Sequence, residues 1–359
     1  MKTKQWNDPS TTRMTSTSRR HFLKAGAAVC AGVALGDAST VHAAQSITVT
    51  CWGGDYEKNV RACFADPFTK ETGIGVNLVN NADLTKMKVQ VQNKNVSWDV
   101  FDSVGPHILS GSKDGIWEPL DRNIVNTSDL LAPGGADYVG TYLFAAGIAF
   151  DPKRFAPGKY PKNFKEFWDV QRFPGRRALR PRVSEMLEIA LVADGVEPSK
   201  LYPLDVERAF RSLEKIKPGV RKWTETTPET ISLVLNNEVD FSYSFVTRVM
   251  PSRQAGNSID ISLTQTVNAI EYLAVPKYSK NREAAMKYLA FVLRPDRQAD
   301  FANRMFFSPN SRTAQPMVAE ATKKYLPNMD SPNNIIINDA WWADHFETLQ
   351  KRFTAWLLV

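Results

Sequence analysis

Histidine and cysteine are scarce in this 359-residue chain, which contains four histidines and three cysteines. The four histidines are His21, His42, His107 and His345, and they do not show the close spacing that zinc sites use. The sequence also lacks a G-x-S-x-G nucleophile elbow, a phosphate-binding P-loop and a dinucleotide-binding G-x-G-x-x-G motif. We therefore expect no metal, no other cofactor and no catalytic activity.

Long apolar runs are missing too, since no stretch reaches the roughly 20 apolar residues that a membrane-spanning helix requires. The apolar segment at 25–35 is short and rich in alanine and glycine. It follows the sequence SRRHFLK at 18–24, which has the twin-arginine pattern, and precedes VHA at 41–43, which fits a signal peptidase site. We predict a twin-arginine signal peptide over residues 1–43, cleavage after Ala43 and a periplasmic location.

Excess positive charge is small once this signal is set aside. The whole chain carries a net charge of +7, and residues 1–43 contain six basic and two acidic residues. The remaining chain therefore carries a net charge of about +3, without a run of lysine or arginine. This charge argues against a nucleic-acid partner.

Two cysteines, Cys51 and Cys63, remain after the predicted cleavage. The periplasm permits a disulfide. Cys51 falls on a predicted strand and Cys63 on the helix that follows, so their pairing depends on geometry that the sequence does not specify. A disulfide and two buried free thiols both remain open.

The hydrophobic pattern predicts strands alternating with helices, and hence a parallel α/β sheet in the first part of the chain. A first strand at 46–52 is broken by Gly53-Gly54, and Asp55 is expected to cap a helix that ends at Gly73. Further strands are expected at 76–79, 99–101, 142–150, 238–245 and 269–275. Further helices are expected at 84–91, 184–193, 205–216, 226–237, 283–293, 295–305 and 339–357.

Two of these strands are long and apolar and are expected to cross between two lobes. The first, at 142–150, ends at Asp151-Pro152, and the second, at 269–275, ends at Pro276. The strand at 238–245 alternates between polar residues, expected to point outward, and apolar residues, expected to point inward. Residues 161–182 are expected to be rich in loops.

Several short motifs, in this order, resemble those of periplasmic solute-binding proteins that serve ABC importers, and most closely the spermidine/putrescine-binding branch. The motifs are FTKETGI (68–74), WDVF (98–101), DGIWEPLD (114–121), NEV (237–239), LAVPK (273–277), AAMKYL (284–289) and FSPN (307–310). The resemblance covers essentially the whole chain after the signal.

The resemblance implies an α/β fold of the two-lobed periplasmic binding protein type (type II), with a ligand cleft between the lobes. We expect lobe 1 to comprise 44–147 and the returning segment 268–315, and lobe 2 to comprise 148–267. Residues 316–359 would form C-terminal helices packed on the lobes. The lobes would hinge near 146–150 and 268–272, and ligand would favour the closed state because it bonds both lobes only there.

A polyamine needs carboxylates for its ammonium groups and aromatic faces along its stem. The resemblance places Trp52, Asp55 and Tyr56 in such a site, on the turn after the first strand. Asp55 could instead only cap the helix. Glu271, on the returning strand, would grip the distal amine, or would form a surface ion pair.

Glu185 opens the first helix of the second lobe and resembles a ligand-binding acid of that branch. It could instead form an i,i+3 pair with Arg182 or lie on a solvated helix face. Tyr243 and Phe245 would replace an aromatic wall that is missing at Ala269. Of the adjacent Trp341 and Trp342 at most one can reach ligand, and we assign Trp342 to this role.

The sequence thus predicts a monomeric periplasmic binding component that captures a polyamine such as putrescine or spermidine and passes it to a membrane permease. One alternative keeps the fold and changes the ligand to another cation, an amino-acid-like compound, or an anion held by Arg182 and Arg248. A second alternative is a ligand-sensing partner of a membrane receptor.

Overall fold

The computed structural model describes residues 45–80, 82–326, 328 and 331–358. The predicted signal peptide and its cleavage site lie outside these residues. In the part of the chain that is described, no helix is both long and apolar enough to span a bilayer.

Ten strands are present among the described residues. They are β1 (Ser46–Cys51), β2 (Gly75–Asn80), β3 (Phe101–Val104), β4 (Tyr138–Phe150), β5 (Arg177–Leu179), β6 (Val220–Trp223), β7 (Phe241–Phe245), β8 (Asp260–Ala274), β9 (Ser308–Pro309) and β10 (Ile335–Ile336).

Thirteen α-helices accompany these strands within the same described residues. They are α1 (Asp55–Val60), α2 (Asp66–Thr72), α3 (Leu84–Gln92), α4 (Gly105–Lys113), α5 (Phe164–Trp168), α6 (Val183–Ala193), α7 (Val206–Ile216), α8 (Glu229–Leu235), α9 (Val246–Gln254), α10 (Arg282–Val292), α11 (Pro295–Met305), α12 (Glu320–Lys323) and α13 (Asp339–Leu358). A π-helical turn, Arg61–Ala65, joins α1 to α2, so the helix predicted from 55 to 72 is continuous with one wider turn.

The predicted parallel arrangement of the first part is confirmed, because β1 is parallel to β2 and Val49 of β1 forms a parallel bridge with Val100, just before β3. β3, in contrast, runs antiparallel to β8. The large sheet has the order β10-β8-β4-β7-β5-β6, in which β4 is antiparallel to both β8 and β7. The antiparallel pairs arise because β4 and β8 run in opposite directions through the middle of the molecule.

β4 and β8 are the two crossing strands, and both are longer than predicted. β4 pairs with the end of β8 from Tyr138 to Ala146 and with β7 from Ala146 to Phe150. Both strands continue past 147/148 and 267/268, respectively, but the β4–β8 register shifts between Ala146 and Ile148. These lobe boundaries stay a prediction.

Local sequence signals explain several helix ends. The side chains of Asp83 and Asp205 accept hydrogen bonds from the backbone N–H groups of Lys86 and Arg208, each at 3.0 Å, and so cap α3 and α7. Gly73 ends α2 in the left-handed conformation, with φ +73°, as predicted.

The predicted capping role of Asp55 is wrong. α1 begins at Asp55 itself, its N-cap is Gly54, and no side chain caps it. Gly53 and Gly54 have φ of +67° and +60°, a conformation that other residues rarely adopt. A Cβ atom on Gly54 would also lie 3.1 Å from Pro228. The direction of the chain between β1 and α1 is therefore set by this glycine turn and not by a side-chain cap.

The alternating pattern predicted for β7 is also wrong, because all five of its residues are buried. β7 lies inside the large sheet between β4 and β5. The serines of β7 form hydrogen bonds inside the protein, and the Ser244 hydroxyl bonds that of Thr230 at 2.7 Å.

The segment 161–182, predicted to be rich in loops, contains the short elements α5 and β5. Cys51 and Cys63 are both buried and free.

Candidate functional site

A small cavity lies where the turn after β1 meets the middle of β4 and β8 and the segments that follow β5 and β7. Its volume is about 40 Å³, room for on the order of three water molecules at roughly 10–15 Å³ each. Aromatic rings and cationic groups dominate the lining, which is formed by Trp52, Tyr56, Val104, Tyr142, Phe144, Arg180, Arg182, Thr227, Phe245, Thr247, Arg248, Glu271 and Phe307.

Three arginines face this cavity, and each donates at least one hydrogen bond within the protein. Arg182 Nη1 donates to Glu185 Oε1 at 2.9 Å. Arg248 donates to the backbone carbonyls of Gly53 and Trp52 at 3.1 and 3.3 Å. These two guanidinium groups therefore hold the walls of the cavity together.

The third arginine, Arg180, is 5 % exposed and follows β5. Its Nη2 donates to the Glu225 carbonyl at 3.2 Å, but its Nε and Nη1 have no hydrogen-bond partner among the described residues. Burial, with the nearby positive charge of Arg182, lowers the pKa of Arg180 to about 9. The group therefore remains cationic at neutral pH, with two N–H directions unused.

Each cavity arginine lies over one aromatic ring. The guanidinium carbon is 5.2 Å from the ring centre of Trp52 for Arg182, 5.9 Å from Tyr56 for Arg248 and 5.7 Å from Phe245 for Arg180. The aromatic faces that were predicted to attract a ligand's ammonium groups thus attract the protein's own cations.

Among the described residues, Glu271 is the only acidic one that lines this cavity. It is 3 % exposed, and its Oε1 accepts a hydrogen bond from the Trp52 indole at 2.7 Å. Asp102 lies behind it, also buried, and its Oδ2 accepts a hydrogen bond from the Tyr56 hydroxyl at 2.5 Å. The Tyr56 hydroxyl also contacts that of Tyr142. The acidic side of the cavity therefore consists of two buried carboxyl groups and their phenol and indole neighbours.

Four of the eight residues predicted as ligand contacts lie on the cavity wall, namely Trp52, Tyr56, Phe245 and Glu271. Asp55 does not, since it is exposed at the first position of α1.

Glu185 and Tyr243 are buried behind the cavity rather than lining it. Glu185 is 2 % exposed, which contradicts a solvated helix face, and it bonds Arg182 and the Tyr243 hydroxyl, the latter at 2.7 Å. Its backbone departs from the helix, with φ +77°. Both its oxygens are therefore occupied within the protein.

Trp342 lies in the core and outside the cavity lining, and its role as the ligand contact of the pair stays a prediction. It is completely buried, and its indole donates to Glu188 Oε1 at 2.6 Å. The neighbouring Trp341 stacks on His345, 4.0 Å away between ring centres.

The carboxyl group of Glu188, which accepts the hydrogen bond from Trp342, should make the stability of the protein depend on pH. Burial raises its pKa to about 7, and its Oε2 has no hydrogen-bond partner among the described residues. A carboxyl whose folded-state pKa is raised keeps its proton while the unfolded chain loses it, so stability falls as pH rises from about 4.5 to 7. For this one group the slope is at most about 1.4 kcal/mol per pH unit.

We expect Glu188→Gln to reduce that slope and to stabilise the protein at pH 7 relative to the unmodified chain. Urea unfolding at pH 5, 6, 7 and 8 measures this, with Glu238→Gln, an exposed residue, as the control. Parallel profiles for the Glu188 variant and the unmodified chain would contradict the expectation.

The sequence prediction missed Arg180 as a site residue. It falls within the segment read as loop, yet it follows a short buried strand, RAL, directly. Polar residues at the end of a buried strand are frequent contributors to α/β sites. The signal was therefore present in the order strand, Arg180, Pro181, Arg182.

Comparisons with known proteins agree with this fold. The bacterial extracellular solute-binding protein family matches residues 64–328, and the twin-arginine translocation signal matches residues 16–36. The gamma-aminobutyric acid-binding protein of Pseudomonas aeruginosa is 30% identical over 324 residues, 87% of this chain and 91% of that protein.

Two further proteins extend the likeness. The spermidine/putrescine-binding periplasmic protein of Escherichia coli is 25% identical over 345 residues, 90% of this chain and 93% of that protein. The structure of AgtB from Agrobacterium tumefaciens in complex with agropinic acid has a TM-score of 0.81 and 27% identity, covering 89% of this chain and 100% of AgtB. The chain therefore belongs to the bacterial extracellular solute-binding protein family, with the two-lobed type II fold, and is a periplasmic substrate-binding protein of an ABC transporter.

Proposed function

We propose that this protein binds a small amino-acid-like zwitterion, with the ligand's carboxylate on Arg180 and its ammonium group at Glu271. The observation that carries the proposal is the pair of unused donors on the Arg180 guanidinium. A buried cationic donor without a partner is costly, and a carboxylate would provide charge-assisted hydrogen bonds to Nε and Nη1 together.

The hydrogen-bond partners of the three cavity arginines favour a ligand with one carboxylate. Arg182 is paired with Glu185, and Arg248 is bonded to two carbonyls, whereas Arg180 has no carboxylate partner and carries two buried donors without a hydrogen-bond partner among the described residues. The carboxyl group of Glu271, with Asp102 behind it, is available for one ammonium group. A ligand with one group of each charge matches this arrangement.

The P. aeruginosa relative is named for gamma-aminobutyric acid, which carries these two groups on a short chain. The AgtB structure holds agropinic acid, so a structure of similar fold binds an acid. Both names support a ligand with a carboxylate.

The polyamine predicted from the sequence is the second candidate, supported by Glu271 in the cavity and by the E. coli relative. Three observations weigh against it. Asp55 and Glu185 do not line the cavity, three arginines do, and the aromatic rings are already covered by those arginines. A dication would meet more positive than negative charge.

In the proposed mechanism the ligand joins the segment after β5 to the returning strand β8, and so bridges the two lobes. It stabilises the closed shape because only that shape offers both end groups at once. The protein acts as a monomer, performs no chemistry on the ligand and presents it to the membrane permease.

Three four-carbon compounds test the proposal, because they share a chain and differ only at their ends: 4-aminobutanoate, butanoate and 1,4-diaminobutane. We expect 4-aminobutanoate to stabilise the protein by about 2.7 kcal/mol at 100 times its Kd. At roughly 2–4 °C per kcal/mol this is a rise of several degrees in Tm. Butanoate should give a smaller rise and 1,4-diaminobutane none.

Thermal unfolding of the chain without its signal peptide is the measurement. A rise with 1,4-diaminobutane and none with 4-aminobutanoate would overturn the proposal and restore the polyamine. A rise with butanoate equal to that with 4-aminobutanoate would remove the role proposed for Glu271.

A further inference from the structure

Glu271 and Asp102 are brought together by the register of two antiparallel strands. Val104 of β3 lies opposite Glu271 of β8, and Asp102 lies opposite Leu273. Residues opposite each other, and residues two apart on one strand, share a face of the sheet, so Asp102 and Glu271 are diagonal neighbours on that face. Only Glu271 lines the cavity; Asp102 sits one layer deeper.

The two carboxyl groups cannot both carry a charge at low cost. Asp102 and Glu271 are 4 % and 3 % exposed. Asp102 Oδ1 has no hydrogen-bond partner among the described residues. Burial raises the pKa of Asp102, and burial together with the charge of Asp102 raises the pKa of Glu271 well above its ordinary value. Carboxylates arranged in this way retain a proton near neutral pH.

Among the described residues, no neighbouring group neutralises the negative charge of the pair in place of that proton. Facing the pair are Tyr56 of α1, Tyr142 of β4, Tyr288 of α10 and Cys51 of β1, whose pKa values are all raised, so they remain neutral. The cations near the pair are Arg182, which is paired with Glu185, and Arg248, which is bonded to carbonyls. No described cation contacts both carboxyl groups directly.

We infer that the ligand's ammonium group replaces the proton that Asp102 and Glu271 hold, so that binding releases one proton to the solvent. This inference rests on the proposed function, since it requires a ligand with an amine at Glu271. No covalent bond to the ligand forms: the carboxyl O–H bond breaks, its proton passes to water or buffer, and the ammonium group keeps all its protons. Asp102 acts here as a positioning residue that sets the protonation of Glu271.

Proton release fixes the pH dependence of affinity. Where the free pair holds its proton, the Kd should fall as pH rises, by up to about tenfold per pH unit for one full proton. The dependence should flatten at higher pH, once the free pair has lost its proton. Butanoate, which has no amine, should bind without proton release.

Isothermal titration calorimetry tests this, with 4-aminobutanoate added to the chain without its signal peptide in phosphate and in imidazole at pH 6, 7 and 8. These buffers differ in ionisation enthalpy, so the difference in observed heat gives the number of protons released. We expect a value approaching one at pH 6 and 7. Binding without proton release would overturn the inference and leave the proposed function intact.

The Asp102→Asn variant tests whether the released proton comes from this pair or from another group. The amide that this substitution introduces can donate to Glu271, which favours the ionised carboxylate before ligand arrives. Proton release should then fall close to zero, and the Kd should lose most of its dependence on pH. Release equal to that of the unmodified chain would assign the proton to another group and overturn the inference. If neither 4-aminobutanoate nor butanoate binds, the proposed function fails, and the inference falls with it.

Discussion

Replacing Arg180 with methionine is expected to weaken the binding of 4-aminobutanoate by at least about 100-fold. Two charge-assisted hydrogen bonds would be lost, each contributing on the order of 1.5–3 kcal/mol, and each 1.4 kcal/mol corresponds to a factor of ten in Kd. Titration calorimetry measures the change directly. Arg180→Lys should lose less, because an ammonium group keeps the charge but not the paired N–H geometry.

The same variant should leave the unliganded protein as stable as before, or make it more stable. Methionine removes two buried donors that have no hydrogen-bond partner among the described residues, and it preserves most of the side-chain volume. Urea unfolding without ligand checks this. The matched control is Arg221→Met on the exposed face of β6, which should change neither property.

The combination of lost binding and retained stability distinguishes a ligand contact from a structural arginine. If Arg180→Met binds 4-aminobutanoate within threefold of the unmodified chain, the carboxylate does not lie on Arg180. If it instead unfolds the protein, Arg180 serves the fold, and the proposal loses the observation that carries it.

Trp342→Ala is expected to destabilise the unliganded protein by about 3–5 kcal/mol, the range for truncating a fully buried aromatic residue. The side chain has no exposed surface, and its removal also leaves the buried Glu188 carboxyl with one donor fewer. Urea unfolding at pH 7 gives the change in the free energy of unfolding.

Trp341→Ala is the control, because Trp341 is adjacent in sequence but only partly buried. It should cost clearly less than Trp342→Ala. Ligand affinity should change little in either variant under conditions where the protein is folded. A Trp342→Ala protein with normal stability and greatly weakened binding would support the sequence prediction that this residue contacts ligand.

Local signals explain why much of the fold could be predicted. The glycine after α2 and the aspartates before α3 and α7 act within one helical turn, so their effect does not depend on the rest of the chain. The two crossing strands were recognisable because burial on both faces gives long apolar runs.

The site was harder to predict because its chemistry depends on which groups satisfy one another. Glu185 looks like a ligand contact until Arg182 and Tyr243 are seen to occupy its two oxygens. Arg180 looks like a surface residue until its burial and unused N–H groups are seen. The Arg182–Glu185 pair is an i,i+3 contact that the sequence offered as an alternative, whereas the contact with Tyr243 follows from strand order, which no local pattern encodes.

The C-terminal helix α13 touches two separate parts of the molecule. Near its start it packs along α4, where Phe346 meets His107 and Asp344 pairs with Lys113. Near its end Phe353 and Trp356 pack on Phe210 and Trp223, from α7 and β6. A helix of 20 residues is a stiff rod of roughly 30 Å.

Such a rod transmits force rather than absorbing it. A motion that separates α4 from α7 cannot stretch the helix, so one of its two attachments must slide or detach. If the lobes hinge as predicted, this rearrangement requires work and therefore opposes their opening, together with the bending of the two crossing strands. Substitutions at either attachment would therefore tune the stiffness of the whole molecule from a position outside the ligand cavity.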